Sequence, residues 1–315
     1  MNAPDLNVRF TLRGHRGNVF CLALSGDGKT LVTGSKDSKI RVWNTGTGTG
    51  KLEKTLEGSK SSIIGIALSA DGKIAVSGNQ TNNTLFWDVE GGKESKQHPP
   101  GTGHNGTING VAFAPDDSFA MTVADDRKVI KWDPVKAKQR TVMNKHEAPA
   151  LAVAISPDGK RAVSTGSDSS ARIWEIETGE QLHVMKPECD SVMTAAWSPD
   201  GKLIATGGNE ENIRLWDPET GELSKAIPTG VQTINSLAFS PDGQWLALGG
   251  TDNALSLWNV ENPALPPAMS DPSLGDQRLL FKGHTNHINA VAWSKDGKTI
   301  ITGSKDETCR VWNVD

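Results

Sequence analysis

Four histidines share a register with a hydroxyl residue and an aspartate: His15 with Thr33 and Asp37, His104 with Thr122 and Asp126, His146 with Ser164 and Asp168, and His284 with Thr302 and Asp306. These are the residue types of a nucleophilic triad, in which an imidazole takes the hydroxyl proton and a carboxylate orients the imidazole. Every set, however, ends on a tryptophan, namely Trp43, Trp132, Trp174 and Trp312. Four copies of one constellation, each with its indole, fit a repeated packing device better than four active sites, and triads are recognised by geometry rather than residue type. His284 and His287 have the look of a metal pair, but the first belongs to one of these sets and no third ligand is near in sequence. Cys21, Cys189 and Cys309 are odd in number and widely separated, so they make neither a disulfide framework nor a metal knuckle. No glycine-rich phosphate loop leads into a helical pattern. The expectation is no catalytic residue, no metal and no cofactor.

The elements that hold these residues follow from the tryptophans. Seven of the ten close a short apolar stretch, at Trp43, Trp87, Trp132, Trp174, Trp216, Trp258 and Trp312, so their spacings are 44, 45, 42, 42, 42 and 54. A turn marker keeps the same beat, for example Gly26-Asp27-Gly28, Pro157-Asp158-Gly159 and Lys295-Asp296-Gly297. Gly tolerates positive φ and Asp bonds its own backbone, which makes these tight turns. Alternating apolar residues lie between the markers, as in Val19-Cys21-Ala23 before one turn and Leu31-Val32-Thr33 after it, so each repeat predicts three clear strands and a weaker fourth such as Lys51–Leu56. Four short antiparallel strands per ~42 residues, repeated seven times, describe the blades of an all-β propeller.

Gly14-His15, Gly103-His104 and Gly283-His284 open repeats, while Trp87-Asp88, Trp132-Asp133 and Trp216-Asp217 close them. On these pairs and their register the chain resembles the WD-repeat β-propeller family over nearly its whole length. Within that family, the Ser35-Lys36-Asp37 turn, the Ser240–Leu246 segment and the long connection before the last repeat look like the receptor for activated C kinase. The resemblance implies that each His, hydroxyl, Asp and Trp set is a hydrogen-bonded structural tetrad. Three repeats depart from it: the second has Ser59 and Thr81 in the His and Asp places, the fifth has Glu188 and Glu210 there, and the sixth has Gly230 in the His place and Leu248 in the hydroxyl place while keeping Asp252. Only three residues follow Trp312, whereas Val8–Leu12 alternates like a strand before the first Gly-His, so the N-terminal strand is expected to complete the last blade. The predicted architecture is one seven-bladed propeller spanning residues 1–315.

The family pattern also implies where partners would bind. One face, the top, carries the turn before each tetrad Asp, with Lys36, Gln80, Asp125, Ser167, Asn209, Thr251 and Lys305. The same face carries Asn18, Ser62, Thr107, Pro149, Ser191, Thr233 and His287. These sets mix charge, amide and hydroxyl, which suits recognition of a specific partner better than a repeated chemical role. Trp197 and Trp293 stand where sibling repeats have Phe113 and Phe239 and are read as filling space between blades. Trp245 aligns with Thr30, Ile74 and Leu203, a more variable place; it is read first as packing and is kept as a candidate partner-binding aromatic. The candidate partner-binding residues are therefore Arg16, Asn18, Lys36, Lys39, Thr107, Asp125, Trp245, His287 and Lys305. The Pro-rich stretch from Asn262 to Gly275 reads as a protruding loop.

Charge sets the remaining bounds. The chain carries a formal charge of −4, which argues against wholesale binding to nucleic acid or anionic membrane. Residues 1–60 nevertheless sum to +5 and the other 255 to −9, and Arg16, Lys36, Lys39 and Lys305 are expected to form a basic sector. No apolar run nears the ~18 residues of a bilayer span and the opening residues lack a leader pattern, so a cytoplasmic location is expected. The functional expectation is a non-catalytic scaffold for one or more proteins. A ribosome- or RNA-associated scaffold using the basic sector is one alternative, and a ligand-binding or enzymatic propeller using a central channel is another.

Overall fold

The computed structural model describes residues 6–46, 49–97, 102–261 and 278–314. Each repeat folds as its alternation dictates. In the first, Val19–Leu24, Thr30–Ser35, Ile40–Asn44 and Lys51–Leu56 pair antiparallel in that order, from the ring axis outward. The second strand is buried almost throughout because neighbouring blades cover both of its faces, whereas the outer strand exposes Lys51, Leu52 and Glu53. Seven four-stranded sheets repeat this plan, and the described residues contain no helix. The architecture is a seven-bladed β-propeller.

Ring closure follows the sequence expectation. Leu6–Leu12 pairs antiparallel with Cys309–Val314, completing a sheet whose other strands are Thr299–Ser304 and Ile288–Trp293. The innermost strands of the seventh and first blades also touch: Asn289 donates its side-chain amide to the Val19 carbonyl at 2.9 Å.

Neighbouring blades mesh by size. A Cβ on Gly34 would lie 2.5 Å from Ile63 of the next blade, one on Gly78 would lie 2.2 Å from Ile108, and one on Gly249 would lie 2.3 Å from Ile288. Glycine in the second strand thus lets a branched side chain rest on backbone. Between the third and fourth blades the sizes are exchanged, with Val123 and Ala150 in the same buried cluster.

The turns facing the bottom are Ser-x-Asp motifs. The Ser25 hydroxyl donates to Asp27 at 2.7 Å, the Lys29 amide donates to the same carboxylate at 3.0 Å, and Gly28 takes φ 72°. The third blade has Asp117 (φ 60°) where most siblings have glycine. Its carboxylate accepts the Ala70 amide of the second blade at 2.8 and 3.0 Å, so the strained residue clamps two blades. The segment Asn262–Gly275 lies outside the described residues.

Candidate functional site

The four predicted tetrads assemble. His15 Nδ1 lies 3.0 Å from Asp37 and its Nε2 2.8 Å from the Thr33 hydroxyl, which accepts the Trp43 indole N–H at 2.9 Å. His104, Asp126, Thr122 and Trp132 repeat this at 2.9, 2.7 and 2.7 Å. His146, Asp168, Ser164 and Trp174 do so at 3.0, 2.7 and 2.8 Å, and His284, Asp306, Thr302 and Trp312 at 2.8, 2.7 and 3.0 Å.

The direction of donation follows from elementary chemistry. An indole nitrogen only donates, so the hydroxyl proton is left for imidazole Nε2, and Nδ1–H faces the carboxylate. This is the polarity of a nucleophilic triad, yet the hydroxyl lone pair is engaged by the indole, and Thr33, Thr122, Ser164 and Thr302 are each 0% exposed. No substrate atom reaches an oxygen so enclosed. The relay satisfies buried groups and orders the entrance loop. His284 spends both ring nitrogens in this relay, which answers the metal-pair question for it.

Burial alone would raise the tetrad carboxyls, but hydrogen bonds to the ionised form prevail. The Arg16 amide, His15 and Arg41 hold Asp37 at about 2. His146, the Ser170 hydroxyl and the Glu147 amide hold Asp168 well below the usual carboxylate range, as His284, Thr308 and the Thr285 amide do for Asp306. Asp126 is lowered chiefly through His104. Burial pushes His15 down to about 4 against the attraction of Asp37, and Arg41 adds to the lowering. Arg41 Nη1 sits 2.6 Å from His15 Nδ1 and 2.8 Å from Asp37, so a positively charged ring would lie against a cation.

The three departing blades keep parts of the relay. In the second, Trp87 donates to Ser77 at 2.8 Å, and buried Asn79 takes over the turn: its oxygen accepts the Thr81 and Asn83 amides and its nitrogen donates to Ser59. In the fifth, Trp216 donates to Thr206 at 2.8 Å while Glu210 receives Arg214 at 3.0 Å. Beside that pair the Cys189 thiol is pushed up to about 11, first by burial and then by the Glu210 charge. Leu248 fills the hydroxyl place in the sixth, fully buried.

The two sets of top-face residues meet one to one. The amide of Lys36 donates to the Asn18 carbonyl at 2.9 Å, Gln80 to Ser62 at 3.1 Å, Asp125 to Thr107 at 2.9 Å and Ser167 to Pro149 at 2.9 Å. Asn209 bonds Ser191 at 3.0 Å, Thr251 bonds Thr233 at 3.2 Å and Lys305 bonds His287 at 2.9 Å. Every blade therefore presents one adjacent pair, and Ser62 and Thr107 reach the carbonyls of Lys36 and Gln80 on the preceding blades.

Inside this ring lies a second one that sequence reasoning missed. Each innermost strand bulges at its second residue, at Phe20, Ile64, Asn109, Leu151, Met193, Asn235 and Asn289. The three asparagines clasp the next blade, through the carbonyls of Ala150, Ile288 and Val19 respectively. The other four are half-buried apolar side chains at the channel mouth. Their one sequence signal is position, five residues after the tetrad histidine where one exists. The channel cavity, about 310 Å³, is walled by apolar, amide and hydroxyl side chains and by backbone.

Arg16, Lys36 and Lys305 stand exposed on adjoining blades, but Lys39 is bound to Glu57, so the basic sector is weaker there than its residue types imply. The Asp125 carboxylate accepts the Asn109 amide at 2.8 Å. Trp245 begins the Trp245–Gly250 strand at the bottom, beside the Ser240 turn, and packs against the buried cluster of Leu257, Ile300 and Trp312, in line with the packing reading of it. Its place at the start of a second strand puts it far from the ring that holds the other candidates. Trp197 and Trp293 do sit between blades, donating to the Ala154 and Ala238 carbonyls at 3.3 and 3.2 Å.

The sequence profile described as "WD domain, G-beta repeat" matches residues 6–44, 50–88, 97–133, 137–175, 179–217, 225–259 and 275–313. Each match starts on an outer strand and ends on a third strand, so the repeat unit is offset from the blade. WD repeat-containing protein 18 of Mus musculus is 42% identical over 41 residues, 13% of this chain and 10% of that protein. Target of rapamycin complex subunit wat1 of Schizosaccharomyces pombe is 44% identical over 36 residues, 11% and 12% of the respective chains. Ribosome biogenesis protein BOP1 homolog of Aedes aegypti is 42% identical over 38 residues, 12% of this chain and 4% of that protein. These matches span about a tenth or less of each relative, one repeat's worth of chain. None of the three is a receptor for activated C kinase, and that narrower likeness gains no support.

Proposed function

Because the chain belongs to the WD domain, G-beta repeat family, we propose that it is a non-catalytic scaffold that holds protein partners on the top face of a rigid propeller. The observation that carries this reading is the paired ring: seven blades deliver fourteen loop residues to one surface, each pair fixed by a backbone hydrogen bond. Loops ordered before binding lose little entropy when a partner docks. The chemical diversity of the pairs, from Lys36 with Asn18 to Ser167 with Pro149, suits one specific surface rather than a repeated ligand. The relatives' names fit it, since a rapamycin-complex subunit is a component of an assembly. A cytoplasmic home accords with three unpaired cysteines.

Obstructing the ring without changing its charge tests the proposal. Gln80→Trp with Asn209→Trp places two indoles on exposed positions of opposite sides. Affinity capture followed by mass spectrometry, with RNA quantified in parallel, should show protein partners retained by the wild type and lost by this variant. An unchanged partner set overturns the top-face reading. The exposed Arg16, Lys36 and Lys305 favour a second reading, an RNA-associated scaffold; nuclease-sensitive capture lost above ~0.3 M salt would support it instead.

A further inference from the structure

The ring is not evenly charged. Arg16, Lys36 and Lys305 are exposed on the first and seventh blades, where Asn289 ties the two inner strands together. The acids of that sector are largely committed: Asp37 and Asp306 to their tetrads and Glu57 to Lys39, leaving Glu307 exposed in its turn. Across the channel the balance reverses. Glu147 of the fourth blade and Glu188, Asp190 and Glu211 of the fifth are exposed in loops of the same face. Glu188 stands where four other blades bury the tetrad histidine, so the fifth blade adds one exposed acid to this pole by abandoning the tetrad. The bases nearby are Arg127 of the third blade, which reaches the Glu147 carbonyl at 3.5 Å, and Lys145 and Lys186, which follow the outer strands Lys138–Asn144 and Gln181–Met185. Among the described residues, none of the seven pole residues named here forms an ion pair with another.

Between the poles lies the channel mouth with Phe20, Ile64, Leu151 and Met193, half-buried and without polar atoms in their side chains. A uniformly acidic partner, nucleic acid included, would gain at the basic pole and lose at the acidic one. A polybasic segment would meet the same balance reversed. Resting on the scaffold reading above, we propose that the top face takes a dipolar protein segment laid across the mouth: an acidic end at Arg16, Lys36 and Lys305, an apolar anchor over Phe20 and its neighbours, and a basic end at Glu188, Asp190 and Glu211. Complementary charge fixes the direction of the segment more than its affinity.

The test is selection from a displayed library of random 12-residue peptides, followed by titration of a recovered peptide against charge variants. Selection should return an apolar or aromatic residue with acids on one side and bases on the other. Lys36→Glu with Lys305→Glu, and separately Glu188→Lys with Asp190→Lys, should each weaken that peptide about tenfold at low salt. Combining all four leaves Arg16 and Glu211 in place, so the poles change sign but are weaker than before, and the peptide should regain part of the lost affinity by docking the other way round. All four positions are exposed, so folding is not at stake. Recovery of uniformly acidic or uncharged peptides, recovery of none, or a fourfold variant no better than its halves overturns the proposal. So does polyuridylic RNA that binds the wild type and ignores the Glu188/Asp190 change. If Gln80→Trp with Asn209→Trp abolishes partner capture while the charge exchange has no effect, the platform stands and the dipolar assignment falls.

Discussion

Replacing the buried hydroxyl of a complete tetrad should cost about twice what the same replacement costs in an incomplete one. Thr122 and Thr206 are both 0% exposed at equivalent positions, and valine matches threonine in shape. Thr122 accepts the Trp132 indole and donates to His104, each at 2.7 Å, so Thr122→Val orphans one donor and one acceptor. Thr206 receives only the Trp216 indole in this relay, at 2.8 Å, so Thr206→Val orphans one donor. An unsatisfied buried group costs about 1–3 kcal/mol, giving about 2–6 kcal/mol for the first variant and about 1–3 for the second. Urea unfolding followed by tryptophan fluorescence measures both, provided the slope with denaturant stays constant. Adding His104→Leu to Thr122→Val removes the orphaned imidazole but also its bond to Asp126, so the double variant should cost less than the sum of the two single ones. Equal costs for the two valine variants would refute the claim that the hydroxyl is a two-sided relay.

Stability should fall in two stages on acidification. His15 is held to about 4 in the fold against 6.5 when free, so the unfolded chain takes up a proton first and stability drops as pH falls from 6.5 towards 4. Asp37, held at about 2 against 3.8, keeps its charge in the fold, and its contribution is lost as pH falls from 3.8 towards 2. Melting temperature against pH should show the first drop reduced in His15→Gln; an identical profile would contradict the assignment. Deleting residues 1–12 removes Phe10 and buried Leu12 from the last sheet, worth about 4 kcal/mol, and should lower the melting temperature by about 6 °C. An unchanged melting temperature would mean that the N-terminal strand does not close the ring.

Residues that do one job in one way were legible before the fold. Tryptophan recurs because one indole closes each sheet, and Asp27 or Asp158 recurs because its carboxylate stitches a turn. Positions defined by backbone register were not. A bulge places its extra side chain by hydrogen-bond offset, which Phe20, Asn109 and Met193 accept equally, so no residue type announces the inner ring. Substitutes of unlike chemistry were also hidden: Thr81 stands in the Asp place of the second blade, but the work falls to Asn79, two residues earlier. Asp117 holds a turn position that other blades give to glycine, and its reason, the Ala70 amide, lies in another blade. Trp245 stands in a variable column that left packing and partner binding both open, and its neighbours across the interface decide how it packs.

The pairing of Leu6 with Val314 sets the start of the first described strand and the end of the last one strand spacing apart, both on the side away from the loops of the ring. A fusion made there would begin on the side opposite the paired loop residues. A short tether between the ends would give a circular chain, and new ends could then be opened at another bottom turn without disturbing the order of the blades.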